Sequence, residues 1–129
     1  MGRIIRIIDF DKYKERSLVE VRQLDKLLKM DALYLCVSRC YYAAYYSMKA
    51  VLGRQGIKTS SHKQTQIEFR KKFVKGGEID KKYSKILAEL FETRSRADYD
   101  INWATNKTFV RRIVRDTKEF VETVLNLLG

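Results

Sequence analysis

Two stretches of this chain place arginine beside tyrosine where a helix would otherwise be apolar. In SRCYYAAYY, residues 38–46, Arg39 precedes four tyrosines. In RSRADYD, Arg94 stands four residues before Asp98 and five before Tyr99. A guanidinium group binds phosphate and carboxylate oxygens through paired hydrogen bonds. The two arginines are therefore candidate phosphate contacts.

The helical spacing decides which of these side chains can meet. Asp98 lies one turn from Arg94, so the two can pair along one face. Tyr99 is about 140° around the helix from Arg94, so they converge only if the helix ends there or a two-fold axis brings two copies together. Arg39 either shares a carboxylate with Arg94 or forms a phosphate clamp with it. The structural alternative is an Arg–Asp pair at a helix or subunit junction. The candidate nucleotide- or phosphate-binding set is Arg39, Arg94, Asp98 and Tyr42.

The chain has one histidine, His62, which follows Ser61 at the start of a predicted helix. It could act as a base or bind phosphate if the fold brings it to the arginines, or it could only complete the helix cap. Cys36 and Cys40 lie one turn apart without a second pair of ligands, which favours buried free thiols over a zinc site. We expect no metal and no cofactor, because no glycine-rich phosphate loop or dinucleotide fingerprint is present.

The composition is strongly basic, with 27 Lys plus Arg against 16 Asp plus Glu and a net charge of +11 at pH 7. Such an excess attracts RNA, DNA, nucleotides or an acidic partner, or it only solubilises a small protein. The longest apolar run, residues 32–52, has the length of a membrane span. It contains Arg39 and Lys49, and charges at mid-bilayer are costly, so we exclude a span. Without a recognisable signal peptide, we expect a cytoplasmic protein.

The periodicity predicts a single all-α domain over residues 1–129, with a core from about 10 to 128. Proline is absent and only six glycines occur, which favours long helices. Five are predicted, at about 10–29, 31–53, 61–75, 79–101 and 106–128, the second capped by Asp31 and the third by Ser61. The apolar stripe of the fourth includes Arg94 and Ile101. Long helices with short connections pack as an antiparallel up-and-down bundle.

The second predicted helix is apolar on all sides, so every face of it must be covered. In so short a chain we expect a second copy to cover one side, with Tyr41, Tyr45 and Tyr46 at the dimer seam. Most of these tyrosines would then serve packing, with their hydroxyls at an edge. The alternative is that they stack on nucleobases.

The segments SRCYYAAYYSMKAVL, SHK, FVKGGEID and RSRADYD, in this order and spacing, resemble the HEPN family. The likeness is to small stand-alone HEPN proteins of archaea and bacteria and extends over about residues 10–125. It implies a bundle of four to five helices that forms a homodimer through its central helices. It also implies association with nucleotides or RNA, and pairing with a minimal nucleotidyltransferase in toxin–antitoxin modules.

Many HEPN members are metal-independent ribonucleases with an arginine followed, after four to six residues, by a histidine. Arg94 matches that arginine, but Tyr99 stands at the position of the histidine, and Ser95 replaces the asparagine or aspartate common in active members. A tyrosine with an ordinary pKa near 10 is a poor base at neutral pH. His62 could replace the missing imidazole only if it lies beside Arg94. Because some partner nucleotidyltransferases modify a tyrosine near this motif, Tyr99 is also a candidate modification site.

Three functions remain open at this point. The first is a dimeric nucleotide- or RNA-binding module that works with a nucleotidyltransferase and uses Arg39 and Arg94 as phosphate contacts. The second is an active ribonuclease toxin that uses Arg94, with Tyr99 or His62 in proton transfer. The third is a non-catalytic interaction module whose tyrosine-rich helix only forms the dimer.

Overall fold

The protein is all-helical, as predicted. The structure is a computed structural model that describes the backbone of residues 2–129 and the side chains of residues 10–129. A π-helical turn, Arg70–Val74, directly follows the third helix. No strand occurs among the described residues. The helices are α1 (Gly2–Lys29), α2 (Leu33–Arg54), α3 (His62–Phe69), α4 (Lys82–Tyr99) and α5 (Lys107–Asn126).

Contacts between helices show the up-and-down arrangement. The Ser17 hydroxyl donates to the Ala43 carbonyl at 2.7 Å. The Cys36 thiol reaches the Leu24 carbonyl at 3.6 Å. The numbering therefore rises along α1 as it falls along α2, and the two helices are antiparallel. Helices α4 and α5 are antiparallel for the same reason, joined by the ion pairs Lys82–Glu119 and Glu89–Arg112.

Helix α2 lies at the centre of the bundle and packs against α1, α3, α4 and α5. Half of its residues are buried inside a single chain, on more than one face. Whether a second copy covers the part of α2 that stays accessible remains a prediction. The enclosing surface comes from the chain's own helices, because a centrally placed helix has neighbours in several directions.

The start of α2 differs from the prediction, because Asp31 does not cap it. Residue Ala32 holds the N-cap position and makes no side-chain cap bond. Asp31 has φ 58° and its backbone N–H donates to the Leu28 carbonyl at 3.1 Å, so it closes α1 in the left-handed conformation common after helices. Its carboxylate instead lies 3.0 Å from the Lys107 ammonium group.

Helix α4 ends at Tyr99, two residues before the predicted boundary. The Asp100 carboxylate accepts a hydrogen bond from the Asn102 backbone at 3.0 Å. This local turn competes with a further helical hydrogen bond. Ile101 is consequently 97% exposed and is not part of the core stripe.

The N-terminus of α3 is fixed by the predicted cap. The Ser61 hydroxyl accepts a hydrogen bond from the Gln64 backbone N–H at 3.0 Å. The Gln64 side chain in turn accepts from the Ser60 backbone N–H at 2.8 Å, one residue earlier than in a standard capping box. His62, the first residue of α3, is thereby held in a defined orientation.

We predict that Ser61→Ala lowers the free energy of unfolding by about 0.5–2 kcal/mol, the usual cost of losing an N-cap acceptor. Ser61→Asn keeps an acceptor and should retain most of the stability. Urea unfolding followed by circular dichroism measures both. Equal stability of Ser61→Ala and the native protein would show that the cap contributes nothing to α3.

Candidate functional site

Five side chains from three helices converge on one face of α2. We call them the tyrosine–histidine cluster: Tyr41, Tyr42 and Tyr45 of α2, His62 of α3 and Arg94 of α4. The tyrosines lie within one turn of α2, so they point to neighbouring positions. The cap of α3 and the antiparallel packing of α4 bring the histidine and the arginine to them.

Tyr41 is the innermost member of the cluster and has no exposed surface. Its hydroxyl oxygen lies 2.9 Å from Nδ1 of His62, and Gln66 Nε2 donates to the same oxygen at 3.4 Å. Burial raises the pKa of Tyr41 to about 12, so the phenol stays protonated at neutral pH. The hydroxyl accepts from Gln66. In the tautomer in which it donates to Nδ1 of His62, the proton of the neutral imidazole is on Nε2; in the other tautomer Nδ1–H donates to the hydroxyl.

His62 is held on a second side by Tyr45. Their ring centroids are 4.3 Å apart and the planes differ by 20°, which is a stacked pair. Burial, followed by the nearby charges of Arg94 and Lys49, lowers the pKa of His62 below its ordinary value. The imidazole is therefore neutral at pH 7, and in the tautomer protonated at Nε2 it can donate to an anionic oxygen.

Arg94 occupies the position in the α4 stripe where an apolar residue is expected, and only 17% of its side chain is exposed. Its Nη2 donates to the Tyr42 hydroxyl at 3.2 Å. Its Nε lies 2.9 Å from Oδ2 of Asp98, so the predicted pair along the helix is confirmed. The guanidinium carbon is 5.3 Å from the centre of the Tyr41 ring, within range of a cation–π contact.

Arg39 approaches the cluster from the α1 side. Its Nη1 donates to Oε2 of Glu20 at 2.7 Å, so it does not share a carboxylate with Arg94. The guanidinium carbon lies 4.9 Å from the centre of the Tyr42 ring, and that of Arg94 lies 5.6 Å from the same centre. The two arginines thus flank one phenol. The buried Nε of Arg39 has no hydrogen-bond partner among the described residues.

The comparison with known proteins agrees with this architecture. The model of the HEPN domain matches residues 11–127. The chain belongs to the HEPN family.

Three relatives of this HEPN chain come from two organisms. A "UPF0332 protein" of Thermotoga maritima is 28% identical over 123 residues, covering 95% of this chain and 92% of the relative. Two proteins of Methanocaldococcus jannaschii carry the name "putative toxin". One is 27% identical, and the alignment covers 88% of this chain and 87% of the relative. The other is 28% identical, and the alignment covers 71% of this chain and 63% of the relative.

Tyr99, at the histidine position of the HEPN motif, lies outside the cluster. It is 78% exposed at the end of α4. Although α4 ends at Tyr99, no contact joins Tyr99 to Arg94 among the described residues. His62 lies instead beside the same Tyr41 that Arg94 contacts. Of the tyrosines predicted at a dimer seam, Tyr41 has no accessible surface to offer a second copy, whereas Tyr45 and Tyr46 are half-buried.

The sequence reasoning did not identify two residues that shape the site, Gln66 and Glu20. Gln66 follows His62 by four residues on α3, so both reach Tyr41 from one helix face. The spacing of four residues on one helix could therefore have predicted that Gln66 lies beside His62. Glu20 gave no such signal, because its partner Arg39 is 19 residues away on another helix.

The structure also shows the state of the two cysteines and the arrangement of potential metal ligands. Cys36 and Cys40 are free and buried, as predicted. In the part of the chain that the structure describes, no group of three or more histidine, cysteine or acidic side chains is arranged to hold a metal ion. None of the described helices is both long and apolar enough to cross a bilayer.

We predict that protonation of His62 lowers the free energy of unfolding as the pH falls. Because its pKa is lowered in the folded state, the unfolded chain binds a proton first as the pH falls through about 6.5. The contribution of His62 to the free energy of unfolding is therefore complete above that pH. It is lost progressively as the pH falls to the folded-state pKa. The measurement is urea unfolding between pH 7.5 and 5.5, for the native protein and for His62→Gln. A stability difference between the two proteins that stays constant over this range would contradict the neutral, partly buried imidazole.

Proposed function

We propose that this HEPN chain is the toxin-type component of a toxin–antitoxin pair, and that it binds the phosphates of RNA or of a nucleotide. Arg94 and Arg39 are the phosphate contacts, and a minimal nucleotidyltransferase is the partner. The observation that carries the proposal is that the guanidinium carbons of Arg39 and Arg94 lie 4.9 and 5.6 Å from the centre of the Tyr42 ring, which is itself 5.8 Å from the centre of the His62 ring. The names of the two Methanocaldococcus relatives support the toxin-type role.

The electrostatics of the site suit an anionic ligand. A largely buried cation is costly unless it is paired, and Arg94 has Asp98 as its partner. Asp98 is itself 35% exposed, so it orients the guanidinium while remaining partly hydrated. We assign Asp98 this positioning role in the phosphate site. The net charge of +11 adds long-range attraction for a polyanion.

The partner and the dimer belong to the same proposal. Tyr99 is 78% exposed, which is what modification by a nucleotidyltransferase requires of an acceptor hydroxyl. Tyr45 is half-buried, and we propose that a second copy packs near it. Both associations would occur in the cytoplasm, where RNA and nucleotides are available.

We predict that Arg94→Ala weakens binding of a short RNA or a nucleotide at least tenfold, because a charge-assisted pair with phosphate is lost. Arg96→Ala is the matched control, since Arg96 is exposed on the same helix and pairs only with Glu92 at 3.6 Å. Fluorescence anisotropy gives the affinity, and light scattering gives the mass of the dimer.

The interpretation depends on the fold being intact. A folded Arg94→Ala protein of native mass and native affinity would overturn the assignment of Arg94 as a phosphate contact. If Arg94→Ala fails to fold, Tyr42→Phe removes only the hydroxyl that receives the Arg94 hydrogen bond and tests the same site with less disturbance.

Cleavage of RNA is the second candidate function, and the placement of His62 favours it. A ribose 2′-hydroxyl loses its proton to solvent water and attacks the adjacent phosphorus. This attack breaks the bond to the 5′-oxygen, which leaves with a proton from His62, and forms a 2′,3′-cyclic phosphate. Arg94 would stabilise the added negative charge on the phosphoryl oxygens, and His62 would supply the proton. Tyr41 would hold the imidazole in position through Nδ1.

For this second function we predict cleavage of structured RNA in the presence of EDTA, with 2′,3′-cyclic phosphate and 5′-hydroxyl ends. Because the pKa of His62 is lowered, the rate should rise as the pH is reduced from 8 to 6 and more imidazolium forms. His62→Gln should reduce the rate by about 10²–10⁴-fold. If the native protein leaves the RNA intact but still binds it through Arg94, cleavage is excluded. The binding function then stands.

A further inference from the structure

A groove between α1 and α2 carries a second pair of aromatic faces that the site described above does not use. Tyr13 of α1 and Tyr46 of α2 have ring centroids 6.1 Å apart and planes that differ by 18°. A cavity of about 370 Å³ lies against both rings and is bordered by Lys12 and Arg16. A neighbouring cavity of about 480 Å³ shares Lys12, Arg16 and Tyr46 with it and extends to Arg39, Glu15 and Glu20. We call these joined cavities the α1–α2 groove.

Two cations, Lys12 and Arg16, lie next to the rings of this groove. The guanidinium carbon of Arg16 lies 5.7 Å from the centre of the Tyr46 ring. Carboxylates line only the larger cavity, where Glu20 pairs with Arg39 at 2.7 Å. Lys12 and Arg16 are exposed, and neither has a carboxylate partner among the described residues. Their charges would repel a second copy of this face and attract a polyanion.

The groove continues into the tyrosine–histidine cluster. Tyr46 is 5.6 Å from Tyr45 between ring centroids, and Tyr45 stacks on His62 at 4.3 Å. Aromatic rings therefore follow one another from α1 to the imidazole, with Arg16 and Arg39 along one side.

We propose that the α1–α2 groove binds single-stranded RNA and directs the strand to the tyrosine–histidine cluster. Bases stack on Tyr13 and Tyr46, and phosphates contact Lys12 and Arg16. Aromatic faces bordered by cations are the usual platform for unpaired bases. A duplex does not fit this chemistry, because its bases are already stacked on each other. The inference rests on the proposed function, since it extends the same ligand beyond the phosphate site.

The first test compares the affinity of labelled single-stranded 12-nucleotide RNA for ring variants. Tyr46→Leu removes the stacking face while staying apolar, and we expect a loss of affinity on the order of tenfold. Tyr46→Phe keeps the face and should bind as the native protein does. A duplex of the same length should bind more weakly than the single strand.

The second test uses the salt dependence of binding. For single strands the logarithmic slope is about 0.7 for each phosphate neutralised, so Lys12→Ala with Arg16→Ala should reduce the slope by about 1.4. Lys81→Ala with Lys85→Ala is the charge-matched control on exposed positions of the α4 region, and it should leave the slope unchanged.

The outcomes separate this inference from the proposed function. If Arg94→Ala weakens RNA binding while the Tyr46→Leu and Lys12/Arg16 variants bind normally, the groove is excluded and the phosphate site stands. If the native protein binds a nucleotide but no RNA, the groove is excluded and the phosphate site stands; if it binds neither, both fail. If Tyr46→Leu changes the mass of the assembly but not the RNA affinity, the groove is a seam between copies, and the inference is overturned.

Discussion

The structure depends on the enclosure of α2. A helix whose side chains are buried on several faces is stable in water only when other helices surround it. Four helices of the same chain pack against α2 and bury its small and aromatic side chains. The enclosure places residues of α1, α3, α4 and α5 against α2. It also determines where polar groups carried by α2 will find partners.

Polar atoms on an enclosed helix need hydrogen bonds from its neighbours. A buried hydroxyl without one costs about 1–3 kcal/mol. Tyr41 avoids that cost through His62 and Gln66 of α3, and Tyr42 is reached by Arg94 of α4. The site is thus a consequence of packing. The same contacts that make the tyrosine helix stable hold an imidazole and a guanidinium group in fixed positions next to each other.

The two arginines show how charge is distributed in this strongly basic chain. Arg39 has Glu20 and Arg94 has Asp98, so each partly buried cation has its own carboxylate. The excess positive charge therefore lies on exposed side chains, such as Lys12 and Arg16, rather than in the cluster. Exposed charges act over distances of about a Debye length and attract a polyanion, whereas the paired arginines act only on groups in contact with them.

The sequence by itself determined the all-α fold, the approximate extent of the helices, the Ser61 cap and the Arg94–Asp98 pair, because these depend on residues close together in the chain. It did not determine that Asp31 would close α1, or that α4 would end at Tyr99, where short-range turns compete with the helix. Nor did it determine which chemistry-bearing residues meet. His62 and Arg94 are 32 positions apart, and only the packing of α3 and α4 on α2 brings them to Tyr41, while Tyr99, close to Arg94 in sequence, is left in solvent. Tertiary structure made this choice because side-chain proximity across helices depends on their relative placement, which helical periodicity does not specify.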